Sequence, residues 1–409
     1  MDSIQTTGEF WIPNQSDRRV QGTLFWEPGA KARVTLRNRV IEELANPIQV
    51  ANNEVSMTTS GDPALIVQDS VPRMLFGETE VGSVTCIDSY LQHPPGNFMN
   101  MAAIFSQVWD PFTLVVGAHL PEGNAEKLNA VRLILDSPAW WRHLPDFGSV
   151  KSEIGEVRCK RNEDGSVWLE FNSSTDLDIR SAARVVQSML TLMKLAVDVE
   201  VAPHRVQVRE RNKETWLEVK TRKLNATKSS SPDPHNLLPP SAVTLERIVR
   251  WLEIEKYMDG LAAAVAWPVK DAAIQVKCLV TCSLIEGMHK RIVDPEEIHY
   301  ADRADHLHSI ATRISPDITD PVVEWKKMVK NVRNDLSHHN TVRSFNEQFY
   351  NWLIVESSAN WVLRLCLLSH AGFRDEEISD ALKHHQRYQF YRENLKMHVQ
   401  ELEAEKEAR

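Results

Sequence analysis

The feature that most constrains this chain is a change of hydrophobic period near residue 225. Upstream, apolar residues alternate every second position; downstream, they return every three or four. Successive side chains alternate faces along a strand, whereas a helix brings one face round every 3.6 residues. Two such patterns in separate halves call for a strand-rich part followed by a helical part. In the first half, Phe10-Trp11-Ile12 and Val20 to Trp26 read as strands, the second with Leu24 and Trp26 on one face and Thr23 and Phe25 on the other. Val34-Thr35-Leu36, Ala64 to Val67, Val81 to Ile87, Phe112 to Ala118 and Asn129 to Leu135 continue the pattern. Glu156 to Lys160 and Val167 to Phe171 flank Asn162-Glu163-Asp164-Gly165, where Asp-Gly supplies the positive φ a hairpin turn needs. One helix, Ile179 to Val197, interrupts before strands return at Val199 to Val208 and Trp216 to Val219. The expected N-terminal fold is a β-rich sandwich or jelly roll with one or two helices.

Residues 221–241 hold four prolines and a Lys-Ser-Ser-Ser run, the composition of a linker. The expected organisation is therefore a β-rich domain over 1–222, a linker over 223–241 and an all-α domain over 242–409. Leu245, Ile248, Val249 and Leu252 share a helix face. Ala272 to Ile292, Asp302 to Ile314 and Phe345 to His370 read as longer helices, and Tyr391 to Arg409 as a charged one. Val322, Trp325, Val329, Val332 and Leu336 step by three and four along another. The overall class is α+β in two domains.

Composition narrows the function. The chain has 409 residues with 47 Lys and Arg against 56 Asp and Glu, a net charge of −9, which argues against nonspecific coating of DNA but leaves room for a local basic site. The longest apolar stretch, Leu261 to Val269, contains Pro268 and falls short of the roughly 18 residues a spanning helix requires. The start, MDSIQTTGEFWIPNQ, has no apolar signal-peptide core, and the five cysteines lie in apolar surroundings without framework spacing. These features suit a cytoplasmic protein with no membrane partner. No P-loop, Gly-x-Gly-x-x-Gly, Gly-x-Ser-x-Gly, His-Glu-x-x-His or Cys-x-x-Cys occurs. His306-x-His308 and His338-His339, with Asp302 and Asp305, are the nearest to a metal set, but residues two apart on a helix diverge, so no metal or other cofactor is expected.

The segment from Glu324 to Arg343 carries five basic and two acidic residues, a local +3 in an acidic chain. It includes Lys326, Lys330, Arg333, Asn334, His338 and His339. Arg333 and His338 are five apart, beyond the four-residue neighbour spacing of a helix, so they meet only if the helix ends or tightens near Ser337. Glu286 and Lys290, at i and i+4 on the earlier long helix, form an ordinary stabilising pair or part of the same site.

Arg333-Asn334-Asp335-Leu336-Ser337-His338 resembles the Arg-Asn-x-x-x-His signature of HEPN ribonucleases, and the helix with Glu286 and Lys290 looks like their acidic-residue helix. Gly8-Glu9-Phe10-Trp11-Ile12-Pro13 followed by Val20-Gln21-Gly22-Thr23-Leu24 resembles the opening of ApeA-like anti-phage proteins, with Ser137-Pro138-Ala139-Trp140-Trp141 a looser match. The resemblance implies a C-terminal HEPN helical bundle that cuts RNA, tRNA among the candidates, without a metal. It also implies a homodimer through that bundle and a phage-derived or host trigger acting on the β-rich part. Arg333, His338, Asn334 and Glu286 would form the catalytic set, and Lys326, Lys330, Lys290 and His339 would bind RNA. The chemistry is coherent: an imidazole titrates near working pH and suits proton transfer, and a guanidinium fork donates bidentately to a phosphorane. The competing reading is a HEPN scaffold that does not cut, with the β domain sensing a ligand.

Overall fold

The computed structural model describes residues 3–40, 48–51, 54–57, 71–92, 106–121, 127–135, 138–199, 201–221, 236–269, 271–294, 296–338 and 343–407. They divide into two compact units. One comprises 1–137, 160–184 and 202–229; the other comprises 138–159, 185–201 and 230–409. The passage from strand to helix falls where the hydrophobic period changes. The compact units, however, do not follow a single cut, since 138–159 and 185–201 group with the C-terminal helices. The expected strand at Ala64 to Val67 lies outside the described residues.

The strands are β1 (Ile4–Trp11), β2 (Val20–Trp26), β3 (Arg33–Leu36), β4 (Ile48–Ala51), β5 (Glu54–Met57), β6 (Arg73–Thr79), β7 (Gly82–Gln92), β8 (Gln107–Val116) and β9 (Leu128–Leu135). After them come β10 (Ser149–Ser152), β11 (Gly155–Arg161), β12 (Val167–Leu177), β13 (Pro203–Glu210) and β14 (Trp216–Thr221). In the first unit, β8 pairs with β7 along its length and with β3 at its start. The order β8-β3-β2-β1-β6-β7 thereby closes on itself as a six-stranded antiparallel barrel instead of two stacked sheets. Closure removes the free edges that an open sheet would present. Phe10, Leu24, Trp26, Val34, Leu36, Leu75, Val84, Cys86, Trp109 and Leu114 fill it. Phe10 packs so close to Gly77 that a Cβ there would lie 2.6 Å from its ring. The far half of β8 pairs with β14, which starts a second sheet through β13, β9 and β12.

The polar face of that second sheet is held by stacked charges. Arg132 lies over both Trp168 (4.1 Å) and Trp216 (4.0 Å); Arg205 and Arg209 lie over the same two rings. Burial against the indoles draws the Arg132 guanidinium down to about 10, the charges of Glu170 and Glu218 acting the other way. These tryptophans are therefore rungs of a cation–π stack.

Among the described residues the helices are α1 (Ile179–Val197), α2 (Leu245–Met258), α3 (Leu261–Ala266), α4 (Ile274–Ile292) and α5 (Tyr300–Ile314), then α6 (Trp325–His338), α7 (Phe345–His370), α8 (Asp375–His384) and α9 (Gln386–Glu407). In the second unit α7 is the central rod. Val355, Ala359, Val362, Leu363 and Cys366 are buried, and it packs against α4, α5, α6 and α9. Trp140 and Trp141 are buried too, ordinary core residues of this unit. No helix among the described residues is long and apolar enough to cross a membrane.

A helix leaves its last four carbonyls without intrahelical partners. At the end of α1 each finds one. Asp198 N–H, at φ +67°, donates to Lys194, and the buried Arg364 of α7 donates to Leu195 through Nε (3.0 Å) and Nη2 (2.7 Å). Leu238 N–H donates to Ala196 and Leu237 N–H to Val197. The end of the expected linker is thus built into the core, Leu237 and Leu238 both being buried, while 223–235 lies outside the described residues. Arg364 Nη1 also donates to Asp198 Oδ1 (2.9 Å), which accepts from Arg387 as well (2.8 Å), and His385 Nε2 sits 3.2 Å from Oδ2. Burial alone would raise the Asp198 carboxyl, but Arg364, His385 and Arg387 outweigh it and hold the group well below the usual carboxylate range.

Breaking a buried pair leaves a stranded charge, so Arg364→Met should cost about 3–5 kcal/mol, read as a lower urea midpoint. Because the folded-state pKa of Asp198 is depressed, its pairing stabilises fully above the unfolded carboxyl value of about 3.9. That contribution is lost as pH falls from there through the folded value. Asp198→Asn should lower stability at pH 7 and flatten the decline below pH 4; an unchanged decline would assign the acid sensitivity to other carboxylates.

Candidate functional site

Three helices position the charged residues singled out above. α6 is anchored by Trp325, whose Nε1–H donates to Ser358 Oγ of α7 (2.8 Å) and whose ring stacks on His308 of α5 at 5.0 Å. Val329 and Val332 are buried below it, as the three-and-four spacing requires. With that face inward, Arg333 turns toward α4 and α5. Its Nη2 lies 3.9 Å from Glu286 Oε2, its Cζ lies 5.4 Å from the centre of the Tyr300 ring, and its Nη1 donates to Asn334 Oδ1 at 3.2 Å. Glu286 accepts from Lys290 Nζ at 2.9 Å. The hydrogen bond from Lys290 is the main reason the Glu286 carboxyl lies below its ordinary value; partial burial opposes it, and the charges of Lys290, Arg333 and Arg303 add to it.

Glu286, Lys290, Arg333 and Asn334 therefore come together, with Tyr300 as a partner that residue types alone did not single out. His338 is not brought to them. α6 runs uninterrupted through His338, so the tightening at Ser337 that would bring it beside Arg333 does not occur. Five residues of α-helix turn the two side chains about 140° apart and separate them by about 7.5 Å along the axis. His338 is exposed at the helix end. Lys326 and Lys330 are exposed on the Arg333 side, Lys326 pairing with Asp305 at 3.0 Å. His339 lies outside the described residues.

Beside this cluster a polar chain with no counterpart in the sequence reading runs from the buried Arg303 and His289 to the exposed His306. Arg303 Nη1 lies 3.1 Å from His289 Nδ1, and His289 Nε2 lies 2.9 Å from His306 Nδ1. Arginine can only donate, so His289 Nδ1 accepts and its Nε2–H passes the donation on to His306. Burial, then the charges of Arg303 and His306, lower the His289 pKa and favour this neutral form. Glu286, His289 and Lys290 share a face at i, i+3 and i+4, as Tyr300 and Arg303 do at i and i+3; the spacing was visible, but which helix met which was not. His306 turns to His289, whereas His308 turns to Thr319 Oγ1 (2.9 Å) and Trp325.

Residues 5–167 match the family model of ApeA N-terminal domain 1. The matched segment runs from the barrel through the first strands and turns that follow it. No curated protein and no solved structure matches the chain.

The Arg333–Glu286 pair is long, and both side chains are more than a third exposed, 37% and 36%. A double-mutant cycle with Arg333→Ala and Glu286→Ala, read from urea unfolding, should return a coupling of about 0–1 kcal/mol. A coupling above about 2 kcal/mol would make the pair a structural fastening.

Proposed function

We propose that this chain is a metal-independent endoribonuclease of an anti-phage abortive-infection system, acting in the cytoplasm as a homodimer. One observation carries the reading: a segment matching ApeA N-terminal domain 1 is joined to a helical region in which Arg333, Asn334 and an exposed His338 stand on one surface helix. In this reading the β-rich part responds to a phage-derived or host trigger and the helical part cuts. The 2′-oxygen attacks phosphorus, the P–O5′ bond breaks, and a 2′,3′-cyclic phosphate remains. His338 takes the 2′-hydroxyl proton and returns it to the departing 5′-oxygen. Arg333 donates to the phosphorane oxygens, with Glu286 and Asn334 setting the orientation of its fork. Lys326, Lys330, Lys290 and His339 attract the RNA backbone.

The turn of about 140° between Arg333 and His338 means one copy does not present both to one phosphate. A second copy would supply the missing partner. α4 offers a place for it, because Val276, Leu279 and Val280 are exposed on one face that continues to Glu286. The scaffold reading is favoured by one observation, the occupation of Arg333 by Glu286 and Tyr300.

Purified protein incubated with total RNA should cut in the presence of EDTA and leave 2′,3′-cyclic phosphate ends. His338→Ala should lower the rate by about 10²–10⁴-fold while circular dichroism stays unchanged. Arg333→Lys should lose most activity, since a point charge does not replace a bidentate fork. A folded Arg333→Lys protein at parental speed would transfer the case to the scaffold.

A further inference from the structure

α6 carries two polar rows one residue out of step. Lys326, Lys330, Arg333 and Ser337 form the first; Lys327, Asn331, Asn334 and His338 form the second, at i, i+4, i+7 and i+11. Eleven residues make three turns to within about 20°, so Lys327 and His338 point nearly the same way. Lys327 and Asn331 of the second row line a concavity of about 230 Å³ between α6, the start of α7 and the end of α9, together with Met328, Arg343, Glu347 and Lys406 among others. His338 stands about 10 Å further along the same face than Asn331.

We infer that this concavity binds one nucleotide of single-stranded RNA and delivers the neighbouring phosphodiester to His338; the inference rests on the nuclease reading above. The lining charges choose the ligand class. Lys327, Arg343 and Lys406 stand against Glu324 and Glu347, a net of one positive charge, which matches a single phosphodiester and not a di- or triphosphate. Lys327 pairs with Glu324 (3.1 Å), and Arg343 with Glu347 (3.2 Å) and Asp335. Lys406 has no ion-pair partner among the described residues, so it is the cation that a phosphate would engage first. Met328 and Val332 give the concavity an apolar wall for a base or sugar. The Asn331 amide, both donor and acceptor, suits a base edge. The Asn351 amide already donates to Glu347 O at 2.7 Å, which leaves its oxygen as an acceptor. The first row pairs with Asp305 and Glu286; the second leads from the concavity toward His338.

The test is binding of a fluorescein-labelled 12-nucleotide single-stranded RNA to full-length protein carrying His338→Ala, followed by anisotropy. Three further substitutions are added singly: Lys406→Glu, Asn331→Leu, and Met328→Trp, which fills the concavity without changing charge. Each should weaken binding roughly tenfold or more, and Lys406→Glu should also flatten the salt dependence by about 0.7 in log–log slope. Lys383→Ala on α8, a solvent-exposed pair with Asp380, should leave binding as it was. Should Met328→Trp fail to fold by circular dichroism, the two surface variants decide. Parental affinity in both Lys406→Glu and Asn331→Leu would overturn the site while leaving the nuclease reading intact. Absence of RNA binding by the His338→Ala parent would overturn both.

Discussion

The helical unit depends on a buried guanidinium. Arg364 comes from the C-terminal third of the apolar rod α7 and donates to the closing carbonyls of α1 and to Asp198 just beyond them. Asp198 in turn accepts from Arg387 and sits against His385, at the turn from α8 to α9. A charge placed among Val362, Leu363 and Leu365 would be prohibitively costly alone; here the Asp198 carboxylate and the Leu195 and Lys194 carbonyls replace its water. The same set of contacts joins three stretches of chain far apart in sequence and fixes the rod against which α4, α5 and α6 lie. What those helices present to solvent follows from that position.

The consequence for α6 is an inward face set by Trp325, Val329 and Val332 and two outward polar rows of different character. Arg333 is turned into a cluster with Glu286, Lys290 and Tyr300, where every charge is partly answered. His338 emerges on the other row, beyond a concavity with its own cations. A helix does not bend to bring residues five apart together, so a motif that reads as one unit in sequence is divided between two surfaces in a single copy. In the nuclease reading proposed above, a second chain would complete the pair, and α4 carries an exposed apolar face beside Glu286.

In the β-rich unit the same tension between pattern and placement shows in the tryptophans. Alternation along Val20 to Trp26 set Leu24 and Trp26 on one face and Phe25 on the other; the first two are buried and Phe25 is exposed. Nothing in the pattern indicated that β8 would pair with β7 on one edge and with both β3 and β14 on the other, which turns the expected sandwich into a barrel with a sheet leading from it. Trp168 lies on β12 and Trp216 on β14. Their use as supports for Arg132, Arg205 and Arg209 required three strands to be brought into register.

Local periodicity determined what is local: the strand-rich and helical parts, the helix from Phe345 to His370, the inward face of α6, and the Glu286–Lys290 pair, all of which depend on side chains within one turn or one strand of each other. It also showed that Arg333 and His338 are too far apart on a regular helix to touch. Tertiary structure alone decided the rest. It built the stretch before Ala242 into the end of α1, because unpaired carbonyls and buried leucines outweigh a linker-like composition. It set Arg333 against Glu286 and Tyr300, and joined Arg303 to His289 and His306, because such contacts arise from the packing of separate helices, whose mutual approach no single-segment pattern encodes.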